Sequence, residues 1–321
     1  MQTSPDARAD VAIVGEINPD LILSGVPREL PPDRELLADG CTLTLGSSSA
    51  ILAHNLALLG ARVSFSSRVG QDFFGEFCCR RLEEAGVDLR GVVRAPSGAG
   101  TGLTVILPLD GLHGPRRIVT YPGAMFEMSL GDLDLDLIAS ARHFHLSSIF
   151  LHRGLTAEIP ALFRLMKGRG LTTSMDTNDD PDGRWAGALW ESLPFTDILF
   201  CNERELLAMS GEPVYERAVL RLRKQTRLLI VKRGRQGAAA YAEGLTREAP
   251  GLRVPVTDTV GAGDSFDAGF LYRWVRGAPL EACMAYGNLA AAYSVTRAGG
   301  TEAFRDGVAR ERFFERGGPE E

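Results

Sequence analysis

Residues 258–270 read Asp258-Thr-Val-Gly-Ala-Gly-Asp-Ser-Phe-Asp-Ala-Gly-Phe270. Gly261, Ala262 and Gly263 carry almost no side chain, so their backbone N–H groups are free to converge on one charged oxygen at the start of an apolar helix. The positive end of the helix dipole adds to that attraction. A carboxylate beside such an anion pocket, Asp264, repels a bound phosphate unless it has another task. Taking the proton from a hydroxyl that attacks the phosphate is such a task, while the amides hold the developing charge. The residues therefore point to phosphoryl transfer to an alcohol. The plainer reading of a lone Gly-x-Gly before a helix is an ordinary turn and cap.

The longer string Thr257-Asp-Thr-Val-Gly-Ala-Gly-Asp-Ser-Phe-Asp-Ala-Gly-Phe270 resembles the C-terminal signature of the ribokinase-like (PfkB) carbohydrate kinases. The resemblance implies that Asp264 is the catalytic base and that Gly261, Ala262 and Gly263 form the anion hole. It extends over nearly the whole chain. Val11-Ala-Ile-Val-Gly-Glu-Ile-Asn-Pro-Asp20 reads as a buried first strand leading to an acidic residue, and Asp20 matches the family's sugar-hydroxyl ligand. Gly46-Ser-Ser-Ser-Ala-Ile51 resembles the family's Gly-Gly-x-x-x-Asn helix start with two departures. Ser47 stands where a second glycine is usual, and Ile51 where a substrate-holding asparagine is usual. Arg68-Val-Gly-Gln-Asp-Phe-Phe-Gly75 matches a further family turn, in which Gly70 and Asp72 serve equally well as turn makers.

On the nucleotide side, Asn202-Glu-Arg-Glu205 resembles the family's Asn-x-x-Glu motif, which organises water and Mg²⁺; Asn202 and Glu205 are the implied metal-site pair. The same residues also spell a helix capping box. Lys232-Arg-Gly-Arg-Gln-Gly237 resembles the family's turn near the nucleotide phosphates, with Lys232, Gly234 and Gly237 as its implied contacts and a surface hairpin as the alternative. ATP is expected along residues 232–260 and the helix 281–297, with Asn288 near the adenine. Asp258 is the implied K⁺ residue, beside carbonyls near Val260 and 297–300. At the exit of Leu171–Met175, Asp176 and Asn178 stand where α/β sheets bind ligands; Asp179 and Asp180 read as a solvated loop.

Histidine readings are mostly structural. His143 and His145 share one face of a strand without a third metal ligand in evidence and read as packing residues. His54 follows Ile51 on one helix face, either restoring a polar contact or lying on the helix surface. Arg153, next to His152 on the expected substrate loop, suits a phosphorylated or acidic substrate, with a solvent-facing arginine as the default.

Composition sets the outer bounds. The 321 residues carry a formal charge of −6 without a basic stripe, which argues against nucleic-acid partners. No membrane-length apolar run or leader pattern is evident, so a cytoplasmic protein is expected. Five cysteines form no C-x-x-C and read as reduced thiols. The three lysines, Lys167, Lys224 and Lys232, include none in a Gly-x-x-x-x-Gly-Lys-Ser/Thr loop, which excludes a P-loop kinase. The protein-kinase motif set is also missing, as is the Gly-x-Gly-x-x-Gly of a dinucleotide-dependent dehydrogenase after the first strand.

Apolar runs at 11–14, 63–66, 143–147, 171–175, 197–200 and 228–231 alternate with helical segments, predicting a mostly parallel sheet with helices on both faces. The fold class implied is α/β, a ribokinase-like three-layer sandwich spanning 10–316 as one domain, with a polar tail at 317–321. Segments 18–45 and 99–122 read as short antiparallel strands, matching the family's small β-sheet lid, which excludes water. An exposed lid edge is a plausible homodimer surface. The expected activity is ATP-dependent phosphorylation of a hydroxymethyl group on a small sugar. A nucleoside kinase on the same scaffold, with Phe126, Phe150 and Tyr121 as stacking candidates, and a non-catalytic sugar-binding protein are the alternatives. Substrate contacts are assigned to Asp20, Gly46, Ser47, Ile51 and Arg153.

Overall fold

The computed structural model describes residues 8–96, 98–109 and 115–319. Residues 110–114 of the second expected lid segment and 320–321 of the expected tail lie outside the described residues. The strands are β1 (Val11–Val14), β2 (Pro19–Ser24), β3 (Gly40–Leu45), β4 (Val63–Val69), β5 (Asp88–Arg94), β6 (Leu103–Pro108), β7 (Arg116–Tyr121), β8 (His143–Ser147), β9 (Thr172–Asp176), β10 (Ile198–Asn202), β11 (Leu228–Lys232), β12 (Ala238–Ala242) and β13 (Leu245–Ala249). The helices are α1 (Ser48–Leu58), α2 (Phe73–Glu84), α3 (Leu135–Ala139), α4 (Ile159–Gly168), α5 (Ala188–Ser192), α6 (Glu203–Ser210), α7 (Tyr215–Leu222), α8 (Ala262–Trp274), α9 (Leu280–Ser294) and α10 (Gly307–Arg316).

The large sheet runs β13-β12-β11-β10-β9-β8-β1-β4-β5. From β5 to β11 every neighbour pair is parallel, and only the hairpin β11-β12-β13 is antiparallel. Side chains on a strand alternate between faces, and the core divides accordingly. Val11 and Ile13 join Phe65, Phe200 and Ile230 under α1, α2, α8 and α9, whereas Ala12 and Val14 join Phe144, Leu146 and Leu229 under α4, α6 and α7. Both faces being covered explains why these strands are near-continuous apolar runs. Helix α10 closes one end by packing Phe313 and Phe314 against Tyr293 and Phe304.

The small sheet runs β3-β2-β6-β7. Its outer pairs are antiparallel, but β2 and β6 pair in parallel, which corrects the all-antiparallel expectation: two hairpins from distant parts of the chain meet side by side. Ile22 and Ile106 from this sheet bury Val260, which immediately precedes Gly261. All five cysteines are free thiols, and only Cys41 is exposed.

Candidate active site

Asp258 anchors the turn ahead of α8. Its carboxylate accepts from the Val260 amide at 3.0 Å and the Gly299 amide at 2.9 Å, joining the turn to the segment after α9. Gly261 then adopts φ 70°, where a β-carbon would stand 2.6 Å from Gly300 Cα and 3.2 Å from Ile51, so both conformation and space require glycine. The Ser265 hydroxyl and amide donate back to the Gly261 carbonyl and close the first turn. Like the first amides of any helix, those of Gly263 and Asp264 have no carbonyl within α8 to receive them.

Asp264, Gly261, Asp20, Ser47, Ile51 and Arg153 all line one cavity of about 1320 Å³ between the large sheet and the small one. Burial, followed by the Asp176 charge, pushes the Asp264 carboxyl up to about 7, with Lys232 opposing the shift. Asp20, on β2, is pushed up to about 8, again by burial first and then by Asp264 and Asp258. Gly46 fits because a β-carbon there would lie 2.1 Å from an Asp20 carboxylate oxygen. Ser47, in place of a glycine, nevertheless holds φ 61°; its hydroxyl donates to the Glu16 carbonyl and accepts from Ala50 N, capping α1.

Ile51 wedges against Gly261 and Gly300, while the polar tie at this point is carried one helical turn on by Asn55, which donates to Ser265 Oγ at 3.0 Å and Gly300 O at 2.9 Å. His54 neither faces the cavity nor sits on the helix surface: it is buried against Asn55, and burial drives it down to about 4. Arg153 stacks over Phe126 at 4.6 Å and reaches Asp182 at 3.8 Å. Phe126 and Phe150 line the cavity; Tyr121 is exposed on β7 and outside its lining. Asp179 is an exposed partner of Arg204, whereas Asp180 is buried and accepts from the amides of Asp182, Arg184 and Trp185, correcting its reading as a solvated residue. His143 and His145 form a buried hydrogen-bonded ladder with Thr172, Ser174 and Ser147 across β8 and β9.

The residues expected around the nucleotide lie outside the lining of this cavity. Asn202 and Glu205 form a reciprocal capping box at α6, and Glu205 is held above its ordinary range by burial and by Asp176. Lys232 heads the β11–β12 hairpin, yet its ammonium turns inward, 2.6 Å from Asp176 and 3.2 Å from Asp267. Asp176 is thereby committed to Lys232, while Asn178, at φ 52°, lines the cavity and donates to Ser148. Gly234 has open surroundings, but Gly237 is pressed against residues 249–251. The Asn288 amide donates to the carbonyls of Ala249 and Pro250, fixing that same segment of the expected nucleotide path.

Two functional neighbours escaped the sequence reading. Glu16, at the exit of β1, is buried and accepts from Ser48 N, Ser49 N, Ser49 Oγ and Ser148 Oγ; the signal was a carboxylate inside an apolar run. Arg116, the first residue of β7, reaches into the cavity to 4.0 Å from Asp258. No group of three or more His, Cys, Asp or Glu among the described residues makes a preformed metal cage. Mg²⁺ keeps waters and takes few protein ligands beside phosphates, and the carboxylates of Asp176, Asp267, Asp264 and Glu205 outnumber the single Lys232 they surround, a setting that fits a cation. Asp258 lies beside the 299–300 backbone, with each carboxylate oxygen accepting an amide.

A mostly parallel sheet wrapped by helices, capped by a small second sheet, with a helix start and a buried carboxylate facing the space between them, defines a ribokinase-like α/β phosphotransferase. The pfkB family of carbohydrate kinases matches residues 8–306, and the chain belongs to that family. It is 32% identical to the ATP-dependent ribose-1-phosphate kinase of Halopiger xanaduensis over 91% of this chain and 94% of that one. It is 29% identical to the cytidine kinase of Thermococcus kodakarensis, covering 84% and 93%. An E. coli structure assigned as a ribokinase II, in complex with ATP and Mg²⁺, superposes with a TM-score of 0.81 at 27% identity, covering 96% and 99%. The protein is a carbohydrate kinase with the ribokinase fold. No helix among the described residues is long and apolar enough to cross a membrane.

Proposed function

We propose that this kinase transfers the γ-phosphoryl group of Mg-ATP to a hydroxymethyl group of a small carbohydrate, with Asp264 as base. The observation that carries the reading is the shared cavity: Asp264 and the Gly261 turn face the same space as Asp20. Asp264 takes the proton of the acceptor hydroxyl as its oxygen bonds to the γ-phosphorus and the bond from that phosphorus to the ADP oxygen breaks. The amides at Gly261, Ala262 and Gly263 hold the charge that develops on the transferred group. Asp20, buried and raised to about 8, is protonated at neutral pH and orients the sugar as a donor as well as an acceptor. Glu205 and Asn202 are the residues that would hold Mg²⁺ through water, and the ion would supply charge neutralisation on the phosphates. Gly234, in open surroundings, lies along the nucleotide. The Asp258 charge favours K⁺ beside the 299–300 backbone.

The hydrophobic contact of Ile22 and Ile106 with Val260 makes the small sheet a lid that excludes water from the base. The exposed edge strand β7, with Ile118, Val119 and Tyr121, is the homodimer surface of this reading, in a cytoplasmic enzyme. A nucleoside acceptor is the second reading, favoured by Phe126 and Phe150 in the cavity wall and by apolar Ile51. ADP release from Mg-ATP across pentoses, hexoses, sugar phosphates and nucleosides, with and without K⁺ and with Asp264→Asn as the blank, tests both. A sugar acceptor dependent on Asp264 supports the first reading. Nucleoside-only turnover supports the second, and turnover by Asp264→Asn refutes the base assignment.

A further inference from the structure

Lys232 ends β11 with its ammonium against the start of α8 and is not among the residues that line the cavity. Asp176 holds it at 2.6 Å from the end of β9, and Asp267 at 3.2 and 3.4 Å from α8 itself, one turn past Asp264. The carboxylates are buried, at 2% and 0% exposure. A β-carbon on Gly263 would stand 3.2 Å from the Lys232 Nζ, so the ammonium packs directly against the anion-hole turn. A buried ammonium with two carboxylates is costly to assemble, and an apolar trio of similar volume would hold the same elements together as well. A structural role alone therefore does not explain why three charges converge at this point.

We propose that Lys232 is a positioning residue for phosphoryl transfer: clamped by Asp176 and Asp267, it supplies a fixed positive charge beneath the Gly261–Gly263 turn, felt by both Asp264 and the transferred group. This rests on Asp264 being the base. The groups that face Asp264 are Asp20 from the lid, Glu16 and Ser48 at the α1 start, Asp176, Asp267 and Lys232, with Arg116 beyond Asp20. Four are carboxylates, and in this set only Lys232 and Arg116 carry positive charge. Asp176 raises the Asp264 carboxyl and Lys232 opposes it. Without the ammonium, the base would remain protonated further into the alkaline range. Asp267, itself held well above the carboxylate range by burial, shares its hydrogen bond with Asp176, so the pair presents less than two full negative charges to the lysine.

The test is a carbon-13 carboxyl NMR titration of the aspartate-labelled protein without nucleotide, with the Asp264 signal assigned from Asp264→Asn. Lys232→Met should raise the Asp264 midpoint by about one pH unit or more, a tenfold change in its ionisation constant. The acid limb of kcat/KM should move up with it, and kcat should fall at least tenfold. Lys232→Gln, which removes the ammonium but can still donate to the clamping carboxylates, gives the same readout if Lys232→Met does not fold. A folded variant whose midpoint and kcat stay within about twofold of wild type overturns the proposal. The titration reads Lys232 independently of turnover, so it separates failure here from failure of the kinase reading, which an active Asp264→Asn would reveal.

Discussion

Glu16 is the residue whose removal should cost most for its size. Its carboxylate accepts from Ser48 N at 3.0 Å, Ser49 N at 3.4 Å, Ser148 Oγ at 2.8 Å and Ser49 Oγ at 2.7 Å, with His152 Nε2 at 3.6 Å. It therefore ties the start of α1, where Ser47, Ser48 and Ile51 face the cavity, to Ser148, held at φ 53° in the opposite wall. Glu16→Gln keeps the shape and the three bonds to one oxygen but removes their charge assistance, about 1 kcal/mol each. It also removes the favourable anion at the helix N-terminus, about 0.5–1 kcal/mol. Relief from burying a charge offsets part of this, giving a net loss of about 2 kcal/mol. Glu16→Ala leaves two buried hydroxyls and two amides without their acceptor, at about 1–3 kcal/mol each where water does not replace it, so a loss of 4 kcal/mol or more is expected. Urea denaturation should rank wild type above Gln above Ala, and KM for the acceptor should rise more than kcat falls, because the walls move while Asp264 stays. A Glu16→Ala protein as stable as wild type would refute the reasoning outright.

Asp264→Asn should lose three or more factors of ten in kcat, each about 1.4 kcal/mol, with nucleotide binding by calorimetry retained. In the wild type, kcat/KM should fall tenfold per unit below pH of about 7, since only the ionised Asp264 accepts a proton, and decline again above about 8, where Asp20 loses the proton it donates to the sugar. Between pH of about 4 and 6.5 the buried histidines, His54 at about 4 and His145 at about 3, bind fewer protons than the unfolded chain while Asp20 and Asp264 bind more, so the opposing slopes cancel and these groups leave stability level. Above it, the unfolded histidines have lost their protons and only the aspartate contribution remains, so stability falls until both folded-state values, about 7 and about 8, are passed. Thermal melts of Asp20→Asn/Asp264→Asn should lose that alkaline decline. Gly261→Ala should lower stability by about 1–2 kcal/mol for the left-handed backbone alone and more for the 2.6 Å approach to Gly300, with turnover lost by continuous assay; a fully active variant would show that the turn tolerates a shift.

The strands of the large sheet were legible where burial on both faces left near-unbroken apolar runs, as in β1, β10 and β11. Strand β12, Ala-Ala-Ala-Tyr-Ala, was not, because alanine favours helix and only the hairpin with β11 and β13 makes it a strand. The β2–β6 pairing joins segments about eighty residues apart and leaves no local trace. Asp264, Gly261 and Asp20 were readable from motifs because their local backbone needs are written in adjacent residues. The ion pairs of Lys232 were not legible for the opposite reason: Asp176 and Asp267 stand 56 and 35 positions away, and a motif does not announce a partner it meets only in space. Asn288 likewise donates across 38 and 39 positions to the backbone that it fixes.

Ile51 touches the acceptor's cavity with one side and buttresses Gly261 and Gly300 with the other. Choice of acceptor and geometry of turnover are thus mechanically the same wall. A redesign that trades Ile51 for a smaller or polar residue in pursuit of a new sugar will loosen the reaction turn along with the binding site. Successful changes of preference are therefore expected to arise first from the lid strands, or else to arrive at position 51 accompanied by a compensating change near residue 300.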